Sequence, residues 1–288
     1  MSVVERLVEL IRETSSSLPE DVLKAIRSAM RREERGGSAA VVLKTILDNC
    51  ALAKRESTPL CQDTGTLAFY VDDSLRRKVT PAVIGKAVAI ATERGYLRKN
   101  CIDSVTGRSY DDNCCDGAPV VHYVGDGESG AGNGAVTLLM KGGGSENMSR
   151  QYSLPDPALG AGRDLEGVRK CILDAVVKAQ GFGCAPGVLG VCIGGDRATA
   201  YEVAKEQLLR PLDESVQGAG TGEPLRKLEK RVLKEANSLG IGPMGLGGRT
   251  TLLGVKIASR PRVPASFFVT VAYMCWACRR RTIVVRDS

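Results

Sequence analysis

Three of the ten cysteines stand at predicted strand boundaries: Cys61 before "QDTGT", Cys184 at the start of "CAPGVLGVCIGG", and Cys275 after "SFFVTVAYM". Loops at strand ends could present the three thiolates to a shared point. Their separations are far too long for a zinc knuckle, whose ligands come as tight pairs. Three thiolates suit a cubane iron–sulfur cluster with one iron left open. Such an iron can bind a hydroxy acid as a Lewis acid, which favours addition or elimination of water.

The other cysteines carry weaker signals. Cys275 and Cys278 form a single CxxC pair, which is weak evidence for zinc, and a thioredoxin-like site is excluded because the pair follows a strand and precedes three arginines. Cys114 and Cys115 are adjacent in a polar loop, and adjacent cysteines seldom ligate one ion, so they receive no role. Three further cysteines stand at apolar positions of predicted elements and are interpreted as core residues: Cys50, Cys171 and Cys192.

Two other segments could bind an anionic substrate. Gln62, Asp63 and Thr64 crowd an amide, a carboxylate and a hydroxyl into the turn after Cys61, although such residues can also simply cap a turn. In "KGGGSEN", consecutive glycines would let backbone N–H groups converge on an anion, and Lys141 adds positive charge. The lysine precedes the glycines, which excludes a Walker A motif, and "GVLGVCIGG" lacks the spacing of a dinucleotide-binding loop.

Composition limits the class of protein. The chain has 288 residues, 43% hydrophobic and 25% charged, as in a globular protein with a sizeable core. Its formal charge of +7 is dispersed among acidic residues, and no ladder of basic and aromatic residues accompanies it, so nucleic-acid binding is not expected. We find no signal peptide and no apolar run long enough to span a bilayer. The expectation is a cytoplasmic protein whose cysteines are metal ligands or reactive thiols rather than disulfides.

The predicted elements favour an α/β fold, with a helical N-terminal region of about 1–56 followed by mixed β-sheets with helices packed on them. Apolar residues recur at helical spacing in the first 47 residues. Further helices are predicted at 81–94, 165–179, 198–209 and 225–239. Strands are predicted at 67–71, 119–124, 135–140, 188–193, 252–257, 267–274 and 282–285, with a Gly-rich loop between the second and third.

Five motifs occur in an order typical of one family: "PLCQDTGT", "KGGGSEN", "CAPGVLGVCIGG", "GIGPMGLGGRTTLLGVKI" and "YMCWACRR". Together they resemble the α-type half of the iron–sulfur hydro-lyases, which comprise class I fumarate hydratase and L-tartrate dehydratase. The resemblance covers most of the chain and is weakest before about Lys44. It implies a single α-type catalytic domain over 1–288.

The resemblance also implies roles for individual residues. It assigns a [4Fe–4S] cluster to Cys61, Cys184 and Cys275, gives Cys278 no role, and makes Asp63 the residue that orients the substrate or relays its proton. Ser145 and Asn147 favour the fumarate hydratase branch over the tartrate branch, and Arg98 could equally be an exposed arginine at a helix end. The residues that it assigns to substrate binding are Gln62, Arg98, Lys141, Gly143, Gly144 and Ser145.

The chain departs from the family at one position. Many members carry Arg-His twelve residues before the third cysteine, where this chain has Arg262 and Val263. The chain's one histidine, His122, lies in a predicted strand and is expected to pack in the sheet. The missing histidine removes a polar group from the expected pocket, while the cysteines that the resemblance assigns to the cluster are all present.

The resemblance implies reversible hydration of fumarate to L-malate, a reaction of the tricarboxylic acid cycle. Single-chain members carry a further C-terminal domain, so this chain is expected to act as an α subunit that needs a β subunit. The expected assembly is a hetero-oligomer or a homodimer of α. Two alternatives stay open. One is dehydration of L-tartrate or another small hydroxy-dicarboxylate, and the other is a non-catalytic metal-binding scaffold subunit.

Overall fold

A computed structural model describes residues 1–125, 134–213 and 222–285. The chain forms two compact units: the first comprises Met1–Pro19, Ile46–Gly143 and Ala277–Ser288, and the second comprises Glu20–Thr45 and Gly144–Trp276. The predicted Gly-rich loop lies mostly at 126–133, outside the described residues. The α/β class is confirmed, whereas a single catalytic domain over 1–288 stays a prediction.

The described helices and strands agree with most of the predicted elements. The helices are α1 (Val3–Ser16), α2 (Glu20–Arg32), α3 (Ser38–Glu56), α4 (Pro81–Glu93), α5 (Gly143–Glu146), α6 (Leu165–Ala179), α7 (Arg197–Glu206) and α8 (Glu223–Ser238). The strands are β1 (Thr66–Asp72), β2 (Cys101–Ile102), β3 (Ser109–Tyr110), β4 (Val120–Val124), β5 (Ala135–Lys141), β6 (Arg150–Ser153), β7 (Gly187–Gly194), β8 (Leu252–Arg260), β9 (Phe268–Met274) and β10 (Arg279–Val284). In the described ranges, no helix is long and apolar enough to cross a membrane.

The first unit is built on a four-stranded sheet of order β10-β5-β1-β4. Strand β5 is antiparallel to both β1 and β10, while β1 and β4 are parallel. Lys141 at the end of β5 therefore pairs with Thr66 at the start of β1, and Arg279 at the start of β10 pairs with Met140. Helices α1 and α4 cover the sheet with an aliphatic core that includes Leu7 and Val88. One edge of this sheet thus gathers the segments before β1, after β5 and before β10.

The second unit contains a sheet of order β6-β9-β7-β8. Strand β7 is antiparallel to β9, and Val188 pairs with Met274. The start of β7 therefore lies beside the end of β9, so the residues just before β7 and just after β9 share one sheet edge. Helices α6 and α8 bury apolar faces against the sheet, with Ile172, Val232 and Val269 fully buried.

Several predicted boundaries differ from the structure, by up to three residues. Strand β10 begins at Arg279 rather than at 282, because the first two arginines are buried and pair with β5 instead of forming a solvated cluster. The helix predicted over 198–209 ends at Glu206 and continues as a 3₁₀ turn, Gln207–Leu209. Strand β6 has no counterpart among the predicted strands, since its four residues are too few for a clear alternation.

Candidate active site

The turn that contains Cys61 is fastened to two helices. The Leu60 N–H donates to the Ser15 carbonyl of α1 (2.9 Å), and the Asn49 side chain of α3 donates to the Leu60 carbonyl (3.0 Å). Within the turn, the N–H of Asp63 donates to Cys61 Sγ (3.4 Å). Hydrogen bonds to a cysteine sulfur tune the properties of a metal bound to it. The Cys61 thiol is therefore held at a fixed place in the first unit.

The Asp63 carboxylate lies over the glycine segment that follows β5. Asn100 Nδ2 donates to Asp63 Oδ1 (3.4 Å), while Asp63 Oδ2 would be only 3.0 Å from a Cβ at Gly142. Gly65, at φ +75°, approaches the Lys141 carbonyl so closely that a Cβ there would lie 2.3 Å from its oxygen. Two motifs that are far apart in the sequence are thus packed together at one sheet edge.

This packing gives a first prediction. Alanine at Gly142 should push the Asp63 carboxylate by a few tenths of an ångström and lower kcat by about tenfold, because catalysis is sensitive to small displacements of a reacting group. The matched control is Gly85→Ala in α4, where the added Cβ meets only Cys114 Sγ at 3.9 Å. Steady-state rates of both variants with L-malate decide the matter, and an unchanged rate for Gly142→Ala would contradict the placement of Asp63.

A cleft of about 270 Å³ opens beside the Asp63 carboxylate. Its polar lining includes Asp63, Thr64, Asn100, Asn113 and the backbone of Gly143. Its volume is slightly below the roughly 300–1,000 Å³ of sites that bind drug-sized ligands, which suits a smaller molecule. The cleft therefore joins the predicted catalytic carboxylate to a space of the right size for a small acid.

Arg98 is held near this cleft by its backbone rather than by its side chain. The Arg98 N–H donates to Thr64 Oγ1 (2.9 Å), and the same hydroxyl donates to the Arg98 carbonyl (3.0 Å). The Arg98 side chain is exposed. Thr64 is buried and thereby ties the segment after α4 to the Cys61–Asp63 turn.

Asn113 is a site residue that sequence reasoning missed. It is buried, with φ at +60°, and its amide oxygen accepts from the N–H groups of Asn100 (2.9 Å) and Cys101 (3.1 Å). Its amide nitrogen donates to Thr92 Oγ1 and to the Arg98 carbonyl, both at 3.0 Å. An asparagine whose side chain is fully hydrogen-bonded in this way orders the backbone around it. Asparagine tolerates a positive φ, so the lone Asn in the "DDNCC" loop was the signal in the sequence that could have indicated this turn.

The glycine segment places its residues differently. Lys141, the last residue of β5, is 3% exposed, whereas Gly143 and Gly144 are exposed. Ser145 is buried in the single turn of α5. Gln62, next to the cysteine, is exposed. The glycines thus offer an accessible backbone close to a buried cation.

The cysteines of the polar loop form a small group of their own. The sulfur atoms of Cys101 and Cys115 are 3.3 Å apart, while the Cys114 thiol donates to the Gly85 carbonyl (3.4 Å). Burial is the main cause that raises the pKa of Cys101 to about 11, and the hydrogen bond with Cys115 is the second cause. At neutral pH this thiol keeps its proton, which makes it a poor metal ligand or nucleophile. Cys50, Cys171 and Cys192 are buried, as predicted.

Cys184 and Cys275 meet at one edge of the second unit's sheet. Cys184 precedes β7 with φ at +51° and is exposed, and Cys275 directly follows β9. The Trp276 N–H donates to the Cys184 carbonyl (3.1 Å), which joins the two segments. Antiparallel pairing of β7 and β9 thus brings together the two segments that carry these predicted ligands.

The Tyr273 ring packs against Gly183 and Gly187, the glycines on either side of Cys184 in the sequence. A Cβ at Gly183 would be 2.3 Å from the ring, and one at Gly187 would be 2.6 Å from its hydroxyl, so both glycines are needed for the ring to fit. The hydroxyl is buried and has no hydrogen-bond partner among the described residues. Burial and the thiols of Cys275 and Cys184 raise the pKa of Tyr273 well above its usual value, so at neutral pH the O–H remains a donor.

The unpartnered hydroxyl gives a second prediction. Tyr273→Phe should stabilise the iron-free protein by about 1 kcal/mol, since removing an unsatisfied buried polar group removes its desolvation cost. The control is Tyr152→Phe in the same unit, which loses a 2.8 Å hydrogen bond to Asp174 and should destabilise the protein by about 1 kcal/mol. Urea unfolding of the two variants should thus give shifts of opposite sign, and a destabilised Tyr273→Phe would mean that the hydroxyl has a partner.

The position that departs from the family lies elsewhere. Val263 is 65% exposed in the loop before β9, so the whole strand separates it from Cys275. Arg262 Nη1 donates to the carbonyls of Val263, Pro264 and Ser266 and thereby closes this loop. His122 lies in β4, stacked on the Tyr70 ring at 4.9 Å, as expected for a residue that packs in the sheet.

Among the described residues, no group of three or more His, Cys, Asp or Glu side chains is gathered closely enough to hold a metal ion. The three predicted ligands divide between the units, with Cys61 in the first and Cys184 and Cys275 in the second. What each unit presents fits a cluster: thiols at sheet edges, an N–H donor on Cys61 Sγ, and a buried O–H donor beside the other pair. The complete three-cysteine set stays a prediction.

Comparison with known proteins identifies the family. The model of a family described as fumarate hydratase (Fumerase) matches residues 4–284, which is nearly the whole chain. The chain belongs to this family. The match confirms the family predicted from the five ordered motifs, and with it the class of enzyme, a lyase.

Individual relatives come from two branches. A protein of Geobacillus stearothermophilus named "Putative fumarate hydratase class I" is 48% identical over 281 residues, which cover 96% of this chain and 53% of the relative. This chain thus spans about half the length of that relative. The "Putative L(+)-tartrate dehydratase subunit alpha" of Methanocaldococcus jannaschii is 35% identical over 97% of this chain and 96% of its own length. The L(+)-tartrate dehydratase subunit alpha of Escherichia coli O157:H7 is 30% identical over 98% of this chain and 91% of its own length.

Proposed function

We propose that this chain is the α-type part of a fumarate hydratase that interconverts fumarate and L-malate and depends on a [4Fe–4S] cluster. The observation that carries the proposal is the 48% identity to a relative named as class I fumarate hydratase, together with the Asp63 carboxylate beside a cleft of suitable size. The tartrate dehydratase relatives are named as α subunits, which supports the proposal that this chain has a β subunit as its partner. A cytoplasmic location stays a prediction.

In this proposal Cys61, Cys184 and Cys275 would hold the cluster. When bound, the cluster supplies a Lewis-acidic iron that is not saturated by protein thiolates and can polarise a substrate hydroxyl. The fit rests on the donors that the chain places near these thiols, the Asp63 N–H and the Tyr273 hydroxyl. Such outer donors orient the ligands and adjust the properties of the metal.

The chain's own residues would bind the dicarboxylate and move its proton. Asp63, held by Asn100, is proposed to exchange a proton with the carbon next to the departing or entering hydroxyl. The backbone of Gly143 and Gly144 is proposed to bind one substrate carboxylate, with the neighbouring Lys141 as a positive charge. Gln62, Arg98 and Ser145 are the further residues proposed to bind the substrate.

A second candidate substrate is L(+)-tartrate. It is favoured by the relatives named as tartrate dehydratase α subunits, since this chain covers 96% and 91% of their length against about half of the fumarate hydratase relative. The higher identity to the latter decides our preference for fumarate.

The test is a direct comparison of substrates. The protein is loaded anaerobically with iron and sulfide, with and without a β-type partner, and assayed with L-malate, L(+)-tartrate and mesaconate. The proposal requires the highest kcat/KM for malate and fumarate. A preference for tartrate would assign the chain to the other branch, and a protein that binds zinc without sulfide and turns over none of them would be a scaffold subunit.

A further inference from the structure

Arg279 is an unusual residue at the start of β10. It pairs with Met140 of β5 and is the largest of the fully buried side chains, at 1% exposure. Arginine is almost never buried to this extent unless its charge is compensated. The burial of the Arg279 charge therefore needs a structural or functional reason.

The guanidinium of Arg279 makes contact with the predicted catalytic turn. Its Nη2 donates to the backbone carbonyl of Asp63 (2.9 Å). The Cβ position of Gly142 would be 4.0 Å from Nη2 and 3.0 Å from Asp63 Oδ2, so the guanidinium and the carboxylate flank the same glycine. Arg279 thus lies under the segment that carries both Cys61 and Asp63.

Two of the donor atoms of Arg279 are unused. Nε and Nη1 are buried and have no hydrogen-bond partner among the described residues. A buried cation with unsatisfied N–H groups is unfavourable unless negative charge approaches it. The residue does not line the cleft beside Asp63, which argues against direct contact with the substrate.

We propose that Arg279 is a positioning residue of the active site: it holds the Cys61–Asp63 turn through the Asp63 carbonyl, and its positive charge balances the negative charge of the loaded site. This inference rests on the proposed function, in which thiolates and a dicarboxylate bring that charge. Arginine suits both tasks because its planar group donates in several fixed directions, whereas lysine offers one compact charge.

The experiment compares Arg279→Gln and Arg279→Lys with the control Arg281→Gln. Arg281 lies in the same strand, is partly exposed, and pairs with Glu13 (3.2 Å) and Ser17 (2.9 Å). Each variant is loaded anaerobically, and the rate of iron loss to a chelator, the reduction potential of the cluster, kcat and KM are measured. Hydrogen–deuterium exchange of residues 60–66 is measured on the iron-free proteins.

Arg279→Gln should lose iron about 10–100-fold faster than the wild type, as expected when a residue behind a metal ligand is removed. Its cluster should have a lower reduction potential, because a nearby positive charge favours the reduced form. Arg279→Lys should keep the potential but lose about tenfold in kcat with KM unchanged, since it keeps the charge without the fixed geometry. In both variants exchange of residues 60–66 should be faster, and Arg281→Gln should match the wild type.

Failure of the inference can be separated from failure of the proposed function. If the wild type binds iron and turns over malate while both Arg279 variants behave like Arg281→Gln, the inference is wrong and the proposed function stands. A wild type that binds no iron overturns the proposed function and the charge-balancing role with it. If Arg279→Gln does not fold, Arg279→Lys decides: an unchanged kcat and unchanged exchange overturn the inference.

Discussion

Replacing Cys184 by alanine is expected to remove the proposed iron–sulfur cluster and all turnover. Cys184 is exposed at the sheet edge that it shares with Cys275, and it has the positive φ of a residue that a tight turn presents outward. Losing a metal ligand should weaken cluster retention by more than the roughly 10–100-fold seen when an outer partner is removed. Iron and sulfide analysis after anaerobic loading, with the visible absorbance, measures the effect.

The control for this variant is Cys192→Ala. Cys192 is fully buried within β7, a few residues along the same segment, and burial raises the pKa of its thiol to about 11. We expect this variant to keep its iron and its activity. A Cys184→Ala protein that retained a cluster, or a Cys192→Ala protein that lost it while still folded, would show that the wrong cysteines have been assigned.

Replacing Asp63 by asparagine is expected to lower kcat by about 10²–10⁴-fold, the range typical for loss of a general acid or base. The substitution leaves the backbone contacts of residue 63 in place, including the N–H on Cys61 Sγ and the carbonyl that accepts from Arg279. Iron content should therefore stay at the wild-type level. The effect should appear in kcat more than in KM, which single-turnover rates with L-malate would confirm.

Asp111→Asn is the matched control, since it also neutralises one carboxylate of the first unit. Asp111 is exposed and pairs with Lys99 at 3.2 Å, an ion pair on the surface that contributes little. Its kcat should equal that of the wild type. If Asp63→Asn kept full activity with its cluster intact, the proton transfer would have to be assigned to another residue.

Much of the fold followed from local patterns in the sequence. The N-terminal helices and most of the strands have clear apolar periodicity, and proline at position 81 begins α4 behind Thr80, whose hydroxyl accepts from the Val83 N–H. The placement of Cys184 and Cys275 near strand ends was also readable, because Pro186 and Gly187 mark a turn before one apolar run and Cys275 ends the other. All of these features are determined by residues that are close together in the sequence.

The features that escaped sequence reasoning depend on distant partners. Three consecutive arginines are typical of a solvated surface, yet pairing of β10 with β5 buries Arg279, and no local pattern indicates that pairing. The structural role of Asn113 depends on four hydrogen bonds to residues that lie 12 to 21 positions earlier in the sequence. The closeness of Gly65 to Lys141 likewise follows from the register of β1 and β5.

The assignment of the cluster to Cys61, Cys184 and Cys275 can be tested on the intact protein. The most direct test is to alkylate the native protein before and after anaerobic loading and to locate the modified thiols by mass spectrometry. Loading should protect these three cysteines and leave the reactivity of Cys101, Cys114 and Cys115 unchanged. Protection of the latter group instead, or no change at Cys61 on loading, would contradict the assignment.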